Sequence, residues 1–409
     1  MTDRLYYHDS FLYDFEAEIS EIADSPRPAL ILDRSAFYPT SGGQIHDTGT
    51  ITAGDTQLKI IEVADTEDGK VVHYFEAERD FDKATLKPGT HIHARIDSFR
   101  RRDHMQQHSG QHVLSAAFIR LYDIHTVSFH MADDYCSIDL DTPTLTKEQV
   151  ESAERLANEI ILENHPVEIR FVAREEIEKL GLRKPPKTDR DELRIIDIRD
   201  VDVSACGGTH VNQTGQIGCI LLRKFEKVRQ GWRVEFVAGQ RAVSTARKDY
   251  IALTETAGFF SAHIYDVPLQ AHKSLEEIRS LRKQREQSLE ELASAQATTI
   301  LAETPETNGR KVVVRTFADR EMNFLKLMAQ KLTRSASNVV ALLASTSPQP
   351  SLVFAQSSGQ PFDMSALLKQ AMATLGGRGG GSKDMAQGGI TNVEGIEAAV
   401  KQVAASLNA

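Results

Sequence analysis

The sequence is poor in cysteine and contains no long apolar segment. Its three cysteines, Cys136, Cys206 and Cys219, are an odd and sparse set in 409 residues, which argues against a disulfide-stapled secreted protein. No uninterrupted apolar run reaches the roughly 18 residues of a membrane helix, and the N-terminus lacks the basic-then-apolar pattern of a secretion signal. We therefore predict a cytoplasmic protein with no membrane partner.

The overall charge of −10 gives the chain no general attraction for a polyanion. The acidic residues are unevenly distributed, however. Residues 1–80 carry 17 acidic and 6 basic residues, a net −11, so the remaining chain sums to +1. Residues 219–250 hold eight basic residues against three acidic ones. Such a stretch is either a phosphate-binding surface or an ordinary solvated face, so charge alone does not exclude a nucleic acid.

The hydrophobic patterns predict an α+β multidomain protein with four parts. Residues 1–90 contain short β-prone runs separated by Gly, Asp and Pro, and 91–240 alternate helices with strands. Residues 241–305 are helical and highly charged, which indicates a helical spacer, and 306–409 follow the pattern of a small α/β domain.

Two local signals are specific enough to test. Apolar residues at 3.6-residue spacing predict a helix over 103–122, and Thr146-Lys-Glu-Gln149 predicts a capping box at the start of a second helix. By contrast, residues 376–389 contain seven glycines in 14 positions and are predicted to form a loop.

Two pairs of metal-binding residue types indicate a metal site. His108 and His112 stand at i and i+4, which places both imidazoles on one face of a helix. Cys206 and His210 flank two glycines that let the chain fold back on itself. Either pair alone is weak evidence, but a thiolate with three imidazoles suits tetrahedral Zn²⁺, one per chain. His104, a turn before His108, is either an orienting group or a surface residue.

Two glycine-rich segments are candidate ligand-binding loops. Phe37-Tyr-Pro-Thr-Ser-Gly-Gly-Gln44 exposes backbone N–H groups that a ligand could approach closely. In residues 376–389, Arg378 and Lys383 add positive charge, so this segment is either a plain linker or a cradle for phosphate or ribose.

These motifs together resemble a known family. His-x-x-x-His with Cys206-Gly-Gly-Thr-His210 resembles the editing domain of alanyl-tRNA synthetases and their freestanding relatives, the AlaX proteins. Residues 37–49 are similar to the glycine motif of the family's N-terminal β-barrel, and 211–218 and 234–239 to its continuation after the Cys-His motif. The glycine-rich segment ending at Gly389 resembles the DHHA1 domain, which makes the chain similar to a long-form AlaX.

The resemblance implies an N-terminal β-barrel, a zinc-containing α+β editing domain, a helical spacer and a C-terminal DHHA1 domain. It also implies an ATP-independent aminoacyl-tRNA deacylase, a carboxylic ester hydrolase serving translation fidelity. The implied substrate is tRNA(Ala) mischarged chiefly with serine, with glycine as a second candidate. Zinc would either activate water or only position the acceptor end. The alternative is a non-catalytic tRNA-binding protein with a structural zinc.

The resemblance further implies roles for individual residues. Candidate oxyanion donors are the backbone N–H groups of Gly207, Gly208 and Thr209. On the strand after the His-x-x-x-His helix, the family's usual Gln followed by Gly-Ser is absent, and Thr126, Ser128 and His130 are the candidates to replace it. Candidate tRNA contacts are Gly42, Gly43, Gln44, Arg378 and Lys383. The C-terminal domain would hold the tRNA body, form a homodimer, or do both.

Two activities of related proteins are not expected. No class II aminoacylation domain precedes the acidic N-terminal region, so we do not expect the chain to charge tRNA. The Asp-His-His signature of DHHA1-bearing phosphoesterases is also absent, with Asp103-His104-Met105 the nearest approach, which argues against phosphoesterase activity.

Overall fold

The computed structural model describes residues 1–23, 27–76, 86–177, 180–183 and 191–408. Its chain forms two compact units, Met1–Glu255 and Thr256–Ala409. No helix within the described ranges is long and apolar enough to cross a membrane. The two units are taken in turn.

The first unit begins with a closed β-barrel. The strands before residue 97 are β1 (Asp3–Arg4), β2 (Asp14–Ala23), β3 (Ala29–Leu32), β4 (Arg34–Ser35), β5 (Gly49–Ala53), β6 (Thr56–Asp65), β7 (Val71–Glu76) and β8 (His91–Ile96). The barrel closes in the order β2-β3-β7-β6-β5-β8. Burial alternates along its strands, so that Ile92, Ala94 and Ile96 of β8 enter the core while their neighbours face solvent. The predicted N-terminal barrel is therefore confirmed.

His73 on β7 lies inside this barrel and gives it a pH-dependent stability. The ring is completely buried, with Nδ1 3.0 Å from the Leu30 carbonyl oxygen and Nε2 2.8 Å from Ser35 Oγ. Burial lowers the pKa of His73 to about 4, although the hydrogen bond to Leu30 opposes this. A carbonyl only accepts, so Nδ1 donates to Leu30, and the lowered pKa keeps the ring neutral near pH 7.

We predict that acidification removes about 2 kcal/mol of stability through His73 at pH 5. The unfolded chain binds a proton here below about pH 6.5, whereas the folded chain does so only near pH 4, so stability falls as the pH falls through this window. Urea unfolding at pH 7.5 and 5.0, followed by the fluorescence of Trp232 in the same unit, measures the loss. His73→Gln should lose correspondingly less on acidification, and an equal loss in both proteins would contradict this origin.

The rest of the first unit packs helices against two antiparallel sheets. Its elements are α1 (Ser98–Tyr122), β9 (Thr126–Met131), β10 (Cys136–Leu140), α2 (Lys147–Glu163), β11 (Val167–Ala173), α3 (Arg174–Ile177), β12 (Glu192–Ile198), β13 (Asp202–Ala205), β14 (Ile220–Val228), β15 (Gly231–Ala238) and α4 (Gly239–Phe259), which continues into the second unit. The sheets run in the orders β14-β15-β10-β9 and β11-β12-β13. A short 3₁₀ turn spans Thr214–Ile217.

Helix α1 is the central element, and it is buried on nearly all sides over residues 104–118. The helix predicted for 103–122 is confirmed, and it begins earlier because Asp97 caps it by accepting from the N–H groups of Phe99 and Arg100. The capping box of α2 is also confirmed: Thr146 and Gln149 each accept the other's backbone N–H. Because many buried residues of α1 are polar, each needs a partner inside the fold.

A buried ion pair fastens α1 to the barrel. Arg101, the second of three consecutive arginines, is fully buried and pairs with the equally buried Asp47. Its guanidinium also donates to the carbonyl oxygens of Ser10 and Ala36. Losing one partner of such a pair leaves a buried charge uncompensated, so this contact holds the orientation of α1 against the barrel.

The second unit contains a mixed sheet between two helical layers. Its elements are α5 (Val267–Glu303), β16 (Glu306–Thr307), β17 (Arg310–Phe317), α6 (Met322–Ser335), β18 (Val339–Ser345), β19 (Ser351–Gln356), α7 (Met364–Leu375), β20 (Arg378–Gly381), β21 (Met385–Gly389) and α8 (Ile396–Asn408). The sheet order is β16-β17-β18-β19-β21-β20. Alternate residues of β18 face α7 and α8 on one side and α5 and α6 on the other, as a strand buried on both faces requires. The predicted small α/β domain is confirmed.

The glycine-rich segment differs from its prediction. Residues 378–381 and 385–389 are not a loop but the antiparallel strands β20 and β21, with Arg378 opposite Gly389 and Gly381 opposite Ala386. Strand β20 is the edge of the sheet. Glycine composition predicted a loop here, whereas in the fold it allows close packing of the hairpin.

Candidate metal centre

The structure brings together the four residues predicted as metal ligands. His108 and His112 come from one face of α1, and Cys206 and His210 lie just after β13. One ligand atom from each residue lies within 4.8 Å of the others. Cys206 Sγ is 3.3 Å from His108 Nε2 and 3.3 Å from His210 Nε2. The three histidines are buried and the cysteine is half-buried, so the group lies at the boundary of the core.

Gly208 makes room for this arrangement. A Cβ at this position would lie 2.1 Å from His108 Cε1 and 2.4 Å from its Nδ1, so only glycine lets the turn pass this close to the ring. The Gly208 N–H also donates to Cys206 Sγ at 3.4 Å. The Cys-Gly-Gly-Thr-His turn therefore folds around the sulfur and the His108 ring at the same time.

Gln44 from the barrel orients the first histidine. Gln44 Oε1 accepts from the Thr209 backbone N–H at 3.1 Å and lies 2.7 Å from His108 Nδ1. Because a backbone N–H can only donate, Oε1 is the acceptor, and His108 must donate to it through Nδ1. The lone pair of His108 is therefore on Nε2, the nitrogen that faces Cys206.

Asp202 orients the second histidine in the same way. Its Oδ2 lies 2.8 Å from His112 Nδ1, and Ser204 Oγ donates to the same oxygen at 2.8 Å. Burial disfavours the charge on Asp202, but its hydrogen bond to His112 and the nearby charge of Arg183 hold its pKa below the usual value. A carboxylate on Nδ1 leaves Nε2 of His112 available to a metal.

The third imidazole is held by Ser109 of α1. Ser109 Oγ is 3.2 Å from His210 Nδ1 and accepts from the Val211 backbone N–H at 3.1 Å. Burial lowers the pKa of His210 to about 3, which keeps the ring neutral. Each imidazole thus has its Nδ1 engaged by a different side chain.

The surroundings of Cys206 favour the thiolate form of its side chain. Burial alone would raise the pKa of Cys206, but the adjacent His108 and His210 lower it well below its usual value. One thiolate and three imidazoles are not the oxygen donors that Ca²⁺ and Mg²⁺ prefer. They are a set that suits a tetrahedral transition-type metal ion.

Comparisons with known proteins match three separate parts of the chain. Three family models match: "tRNA synthetases class II (A)" over residues 3–100, "Threonyl and Alanyl tRNA synthetase second additional domain" over 193–234, and "DHHA1 domain" over 309–409. The second of these contains Cys206 and His210. The protein is therefore a multidomain α+β chain with a six-stranded barrel and a C-terminal DHHA1 domain.

One relative is matched over almost the whole length of both proteins. The alanyl-tRNA editing protein AlaX-L of Pyrococcus horikoshii is 31% identical over 397 residues, which are 95% of this chain and 95% of the relative. The chain belongs to the AlaX-L family.

Longer relatives of the chain include the alanine–tRNA ligase of Pyrococcus furiosus. It is 31% identical over 413 residues, covering 99% of this chain but 44% of the ligase, so the chain spans less than half of that enzyme. Among solved structures, the C-Ala domain from Aquifex aeolicus alanyl-tRNA synthetase matches 26% of this chain at 22% identity. Its TM-score of 0.25 is too low to support an inference.

The glycine loop of the AlaX-L barrel lies against the metal centre. The Gly43 carbonyl oxygen accepts from the Met131 N–H of β9 at 2.9 Å, and a Cβ on Gly43 would lie 2.3 Å from the Phe129 carbonyl oxygen. Gly42 is exposed, but Gln44 is completely buried. The structure therefore places Gln44, a predicted tRNA contact, beside the metal ligands rather than on an exposed surface.

The three residues of β9 predicted to replace the family's Gln-Gly-Ser have different surroundings. A register shift pairs Thr126 with Leu140 and Ser128 with Asp139. Thr126 Oγ1 consequently lies 2.7 Å from Ser115 Oγ of α1, whereas Ser128 donates to Asp139 at 2.7 Å and His130 is exposed. The sequence did not distinguish these three residues.

A polar chain extends from Thr126 along the histidine-bearing face of α1. Gln111 Nε2 donates to Ser115 Oγ at 2.8 Å, and Ser115 contacts Thr126. Positions 108, 111, 112 and 115 form one stripe of a helix, so this chain follows the face that carries His108 and His112. Sequence reasoning missed Gln111 and Ser115. Polar residues at helical spacing from the histidines were the available signal.

Two of the three predicted oxyanion donors already donate a hydrogen bond within the protein. The N–H of Gly208 donates to Cys206 Sγ and that of Thr209 to Gln44 Oε1. The N–H of Gly207 has no hydrogen-bond acceptor among the described residues. Of the three, Gly207 is therefore the one whose N–H is available to a ligand in this arrangement.

His104 does not join the metal group. It is buried, and its Nδ1 lies 3.9 Å from Asp47 Oδ1 without a hydrogen-bond partner in the described part of the chain. Burial and the charges of Arg100, Arg241 and Arg101 lower the pKa of His104 to about 2, so the ring is neutral. Its surroundings are Asp47 and the charges of these arginines rather than the metal ligands.

The two basic residues predicted to contact tRNA lie in the second unit. Arg378 is exposed on the edge strand β20, and Lys383 is exposed in the turn between β20 and β21. Both therefore belong to the hairpin of the DHHA1 domain.

We predict that Gln44→Ala weakens metal binding about 10- to 100-fold, because His108 then loses the acceptor that sets its ring orientation. Competition with a chromophoric chelator measures the affinity. Gln57→Ala, at an exposed glutamine of the same barrel, is the matched control and should bind metal as the wild type does. Equal affinities for Gln44→Ala and the control would contradict the orienting role.

Proposed function

We propose that this chain is an aminoacyl-tRNA deacylase that acts in trans on mischarged tRNA(Ala). It hydrolyses the ester between the amino acid and the terminal ribose, chiefly of Ser-tRNA(Ala), with Gly-tRNA(Ala) as a second candidate substrate. The proposal rests on one observation above all. Three imidazoles and a thiolate converge within 4.8 Å, each imidazole is oriented through its Nδ1, and a hydroxyl-bearing chain follows the same helix face. Membership in the AlaX-L family directs this site to an alanyl-tRNA ester.

We further propose Zn²⁺ as the ion, one per chain, held by His108, His112, Cys206 and His210. When bound, zinc supplies a positive charge and Lewis acidity beside the ester, either to lower the pKa of a water or to position the acceptor end. With four protein ligands the coordination shell can be closed, which favours positioning.

The remaining chemistry belongs to the polar groups around the site. Thr126 has a hydroxyl that, after its bond to Ser115, can still form a further hydrogen bond. We assign it to the serine hydroxyl of the substrate. Alanine cannot make this bond and would leave the second hydrogen bond of the Thr126 hydroxyl unmade, which disfavours the correctly charged tRNA by about 1–3 kcal/mol. The Gly207 N–H is the candidate donor to the developing oxyanion.

We assign the parts of the chain as follows. Residues 1–90 form the barrel that supplies Gln44, and 91–240 form the zinc-containing editing domain. Residues 241–305 are a helical spacer, and 306–409 form a tRNA-binding or dimerisation domain. In the last of these, Arg378 and Lys383 are the proposed contacts to the RNA backbone.

Single-turnover deacylation tests the proposal. Ser-tRNA(Ala), Gly-tRNA(Ala) and Ala-tRNA(Ala) are incubated with protein whose zinc content is measured on the same preparation. Fast loss of serine, little loss of alanine and about one zinc per chain is the expected result. Zinc without loss of the serine ester would instead support a non-catalytic tRNA-binding protein. Equal loss of serine and alanine would contradict the hydroxyl-based selection.

We predict that Thr126→Val lowers kcat/KM for Ser-tRNA(Ala) about 10- to 100-fold, since valine keeps the shape but not the hydroxyl. Hydrolysis of Gly-tRNA(Ala), which has no side-chain hydroxyl to bind, should change much less. Ser128→Ala is the matched control, because Ser128 donates to Asp139 and not toward α1. Equal losses on the serine and glycine esters would overturn the assignment of Thr126.

A further inference from the structure

Arg194 on β12 is a buried cation beside the metal-binding turn, with no carboxylate partner among the residues that the structure describes. Only 8% of the Arg194 surface is exposed to solvent. Nη1 donates to the Cys206 carbonyl oxygen at 2.6 Å and Nε to the Tyr7 carbonyl oxygen at 2.9 Å. Nη2 is buried and has no hydrogen-bond partner, and no carboxylate pairs with the guanidinium, within the ranges that the structure describes. The mechanism above does not use this residue.

A buried and unpaired guanidinium is costly. Burial lowers the pKa of Arg194, and the nearby Cys206 thiolate opposes this, but a guanidinium remains charged in proteins. Because that sulfur belongs to the metal-binding group, and no carboxylate pairs with Arg194 in the described ranges, the buried cation has no anion of its own. Two other arginines of the same unit show the usual solution. Arg101 is paired with Asp47, and Arg4 lies 2.6 Å from Asp65. Among the described residues, Arg194 lacks such a carboxylate and keeps an unpartnered Nη2, which points to an anionic ligand as its partner.

Arg4 is the closest internal comparison. Its guanidinium carbon lies 5.6 Å from the centre of the Tyr7 ring, and that of Arg194 lies 5.5 Å from the same centre. The two cations thus share one tyrosine, but only Arg4 has a carboxylate partner. Tyr7 also borders the turn, since a Cβ on Gly207 would lie 3.6 Å from its hydroxyl oxygen.

The chemistry of the proposed substrate identifies the anion. An aminoacyl ester has no free carboxylate, and its amino acid carries an ammonium group, so the negative charges of the acceptor end are all phosphodiesters. The ester lies on the terminal ribose, and the nearest anion to it is the phosphate on the 5′ oxygen of that ribose. Guanidinium is well suited to such a group because its donors form a fork that matches phosphate oxygens.

We propose that Arg194 binds the last internucleotide phosphate of the tRNA acceptor end through its unpartnered Nη2. This inference rests on the proposed function and adds a substrate-binding residue to it. By also holding the Cys206 carbonyl, Arg194 links the position of the bound 3′ nucleotide to the turn that carries two metal ligands.

The test uses an RNA hairpin that ends in an acceptor sequence with serine attached through a non-hydrolysable amide. A neutral methylphosphonate replaces either the last internucleotide linkage or the linkage before it. Wild-type protein should bind the last-linkage analogue about 10- to 100-fold more weakly than the unmodified hairpin, and should bind the other analogue with a much smaller loss. Equal losses for the two analogues would overturn the proposal without any variant protein.

Variants then connect the effect to this side chain. Arg194→Gln should bind the unmodified hairpin as weakly as the wild type binds the last-linkage analogue, and should lose no further affinity with that analogue. Its plot of log affinity against log salt should flatten by about 0.7, the value for one phosphate contact on a single strand. Arg4→Gln, the matched control, should keep the wild-type discrimination between linkages. Retained discrimination in Arg194→Gln would overturn the assignment.

The metal content of each variant shows whether weaker RNA binding comes from the lost phosphate contact or from a disrupted metal-binding turn. Zinc is measured on each preparation, and Arg194→Lys, which keeps the charge, should recover part of the discrimination if the contact is electrostatic. The outcomes also distinguish the two proposals. Discrimination at the last linkage without hydrolysis of the serine ester would overturn the deacylase function and leave the phosphate site standing. Hydrolysis without discrimination would overturn the phosphate site alone.

Discussion

Replacing Cys206 by alanine should reduce metal affinity and Ser-tRNA(Ala) deacylation by more than about 100-fold while tRNA binding stays within about threefold. Cys206 is the only thiolate of the group, and its sulfur contacts His108 and His210 at 3.3 Å. Loss of a hydrogen-bond partner of a metal ligand typically costs 10- to 100-fold in affinity, so loss of a ligand itself should cost more. Zinc analysis, single-turnover kinetics and filter binding measure the three quantities.

Cys219→Ala is the matched control for this substitution. Cys219 is also half-buried but stands outside the metal group, so its loss should leave zinc content and deacylation unchanged. If Cys206→Ala lost its metal but still cleaved the serine ester at the wild-type rate, the proposed metal-dependent hydrolysis would be wrong. If neither variant lost metal, the four residues would not be the ligands.

Gly208→Ala should lose most of its bound metal and its deacylase activity. The added methyl group would lie 2.1 Å from His108 Cε1 and 3.0 Å from Gln44 Oε1, so either the ring or the turn must move. Movement of the ring breaks the 2.7 Å contact between His108 Nδ1 and Gln44. Forcing an extra carbon into a packed site also destabilises the fold by about 1–3 kcal/mol. Zinc stoichiometry and thermal unfolding of the purified variant measure the two effects.

Gly207→Ala is the matched control for Gly208→Ala. Among the described residues, a methyl group on Gly207 would meet Tyr7 alone, at an ordinary contact distance of 3.6 Å from its hydroxyl oxygen, so Gly207→Ala should retain its metal. The two substitutions are chemically identical and one residue apart. Equal loss of metal in both would mean that the turn needs glycine for flexibility rather than for the close approach to His108.

Much of the fold could be predicted from local patterns. Short β-prone runs between Gly, Asp and Pro predicted strands in residues 1–90, and the family resemblance implied that these strands form a barrel. The apolar spacing in α1 and the capping box of α2 predicted helices because these signals act within a few residues. The hairpin of residues 378–389 was missed, because glycine composition reports conformational freedom and not the strand-pairing partner that a sheet edge supplies.

In the candidate site, too, local spacing predicted some features and tertiary contacts decided others. The spacing of His108 and His112, and of Cys206 and His210, identified the four residues that converge. The family resemblance offered Thr126, Ser128 and His130 as replacements for a missing Gln-Gly-Ser and did not decide among them. The register shift in β9 places Thr126 against Ser115 of α1, and that irregularity depends on pairing with β10.

The sequence by itself determined the ligand types, the local helix and strand signals, and the motifs that place the chain in its family. Only the tertiary structure decided which side chains orient the ligands. Gln44 reaches His108 across 64 positions, and Asp202 reaches His112 across 90. It also decided that Arg194 is buried beside Cys206 with an unpaired N–H. Local signals act over a turn or a strand, whereas these contacts exist because packing the barrel and the sheets around α1 brings distant parts of the chain together.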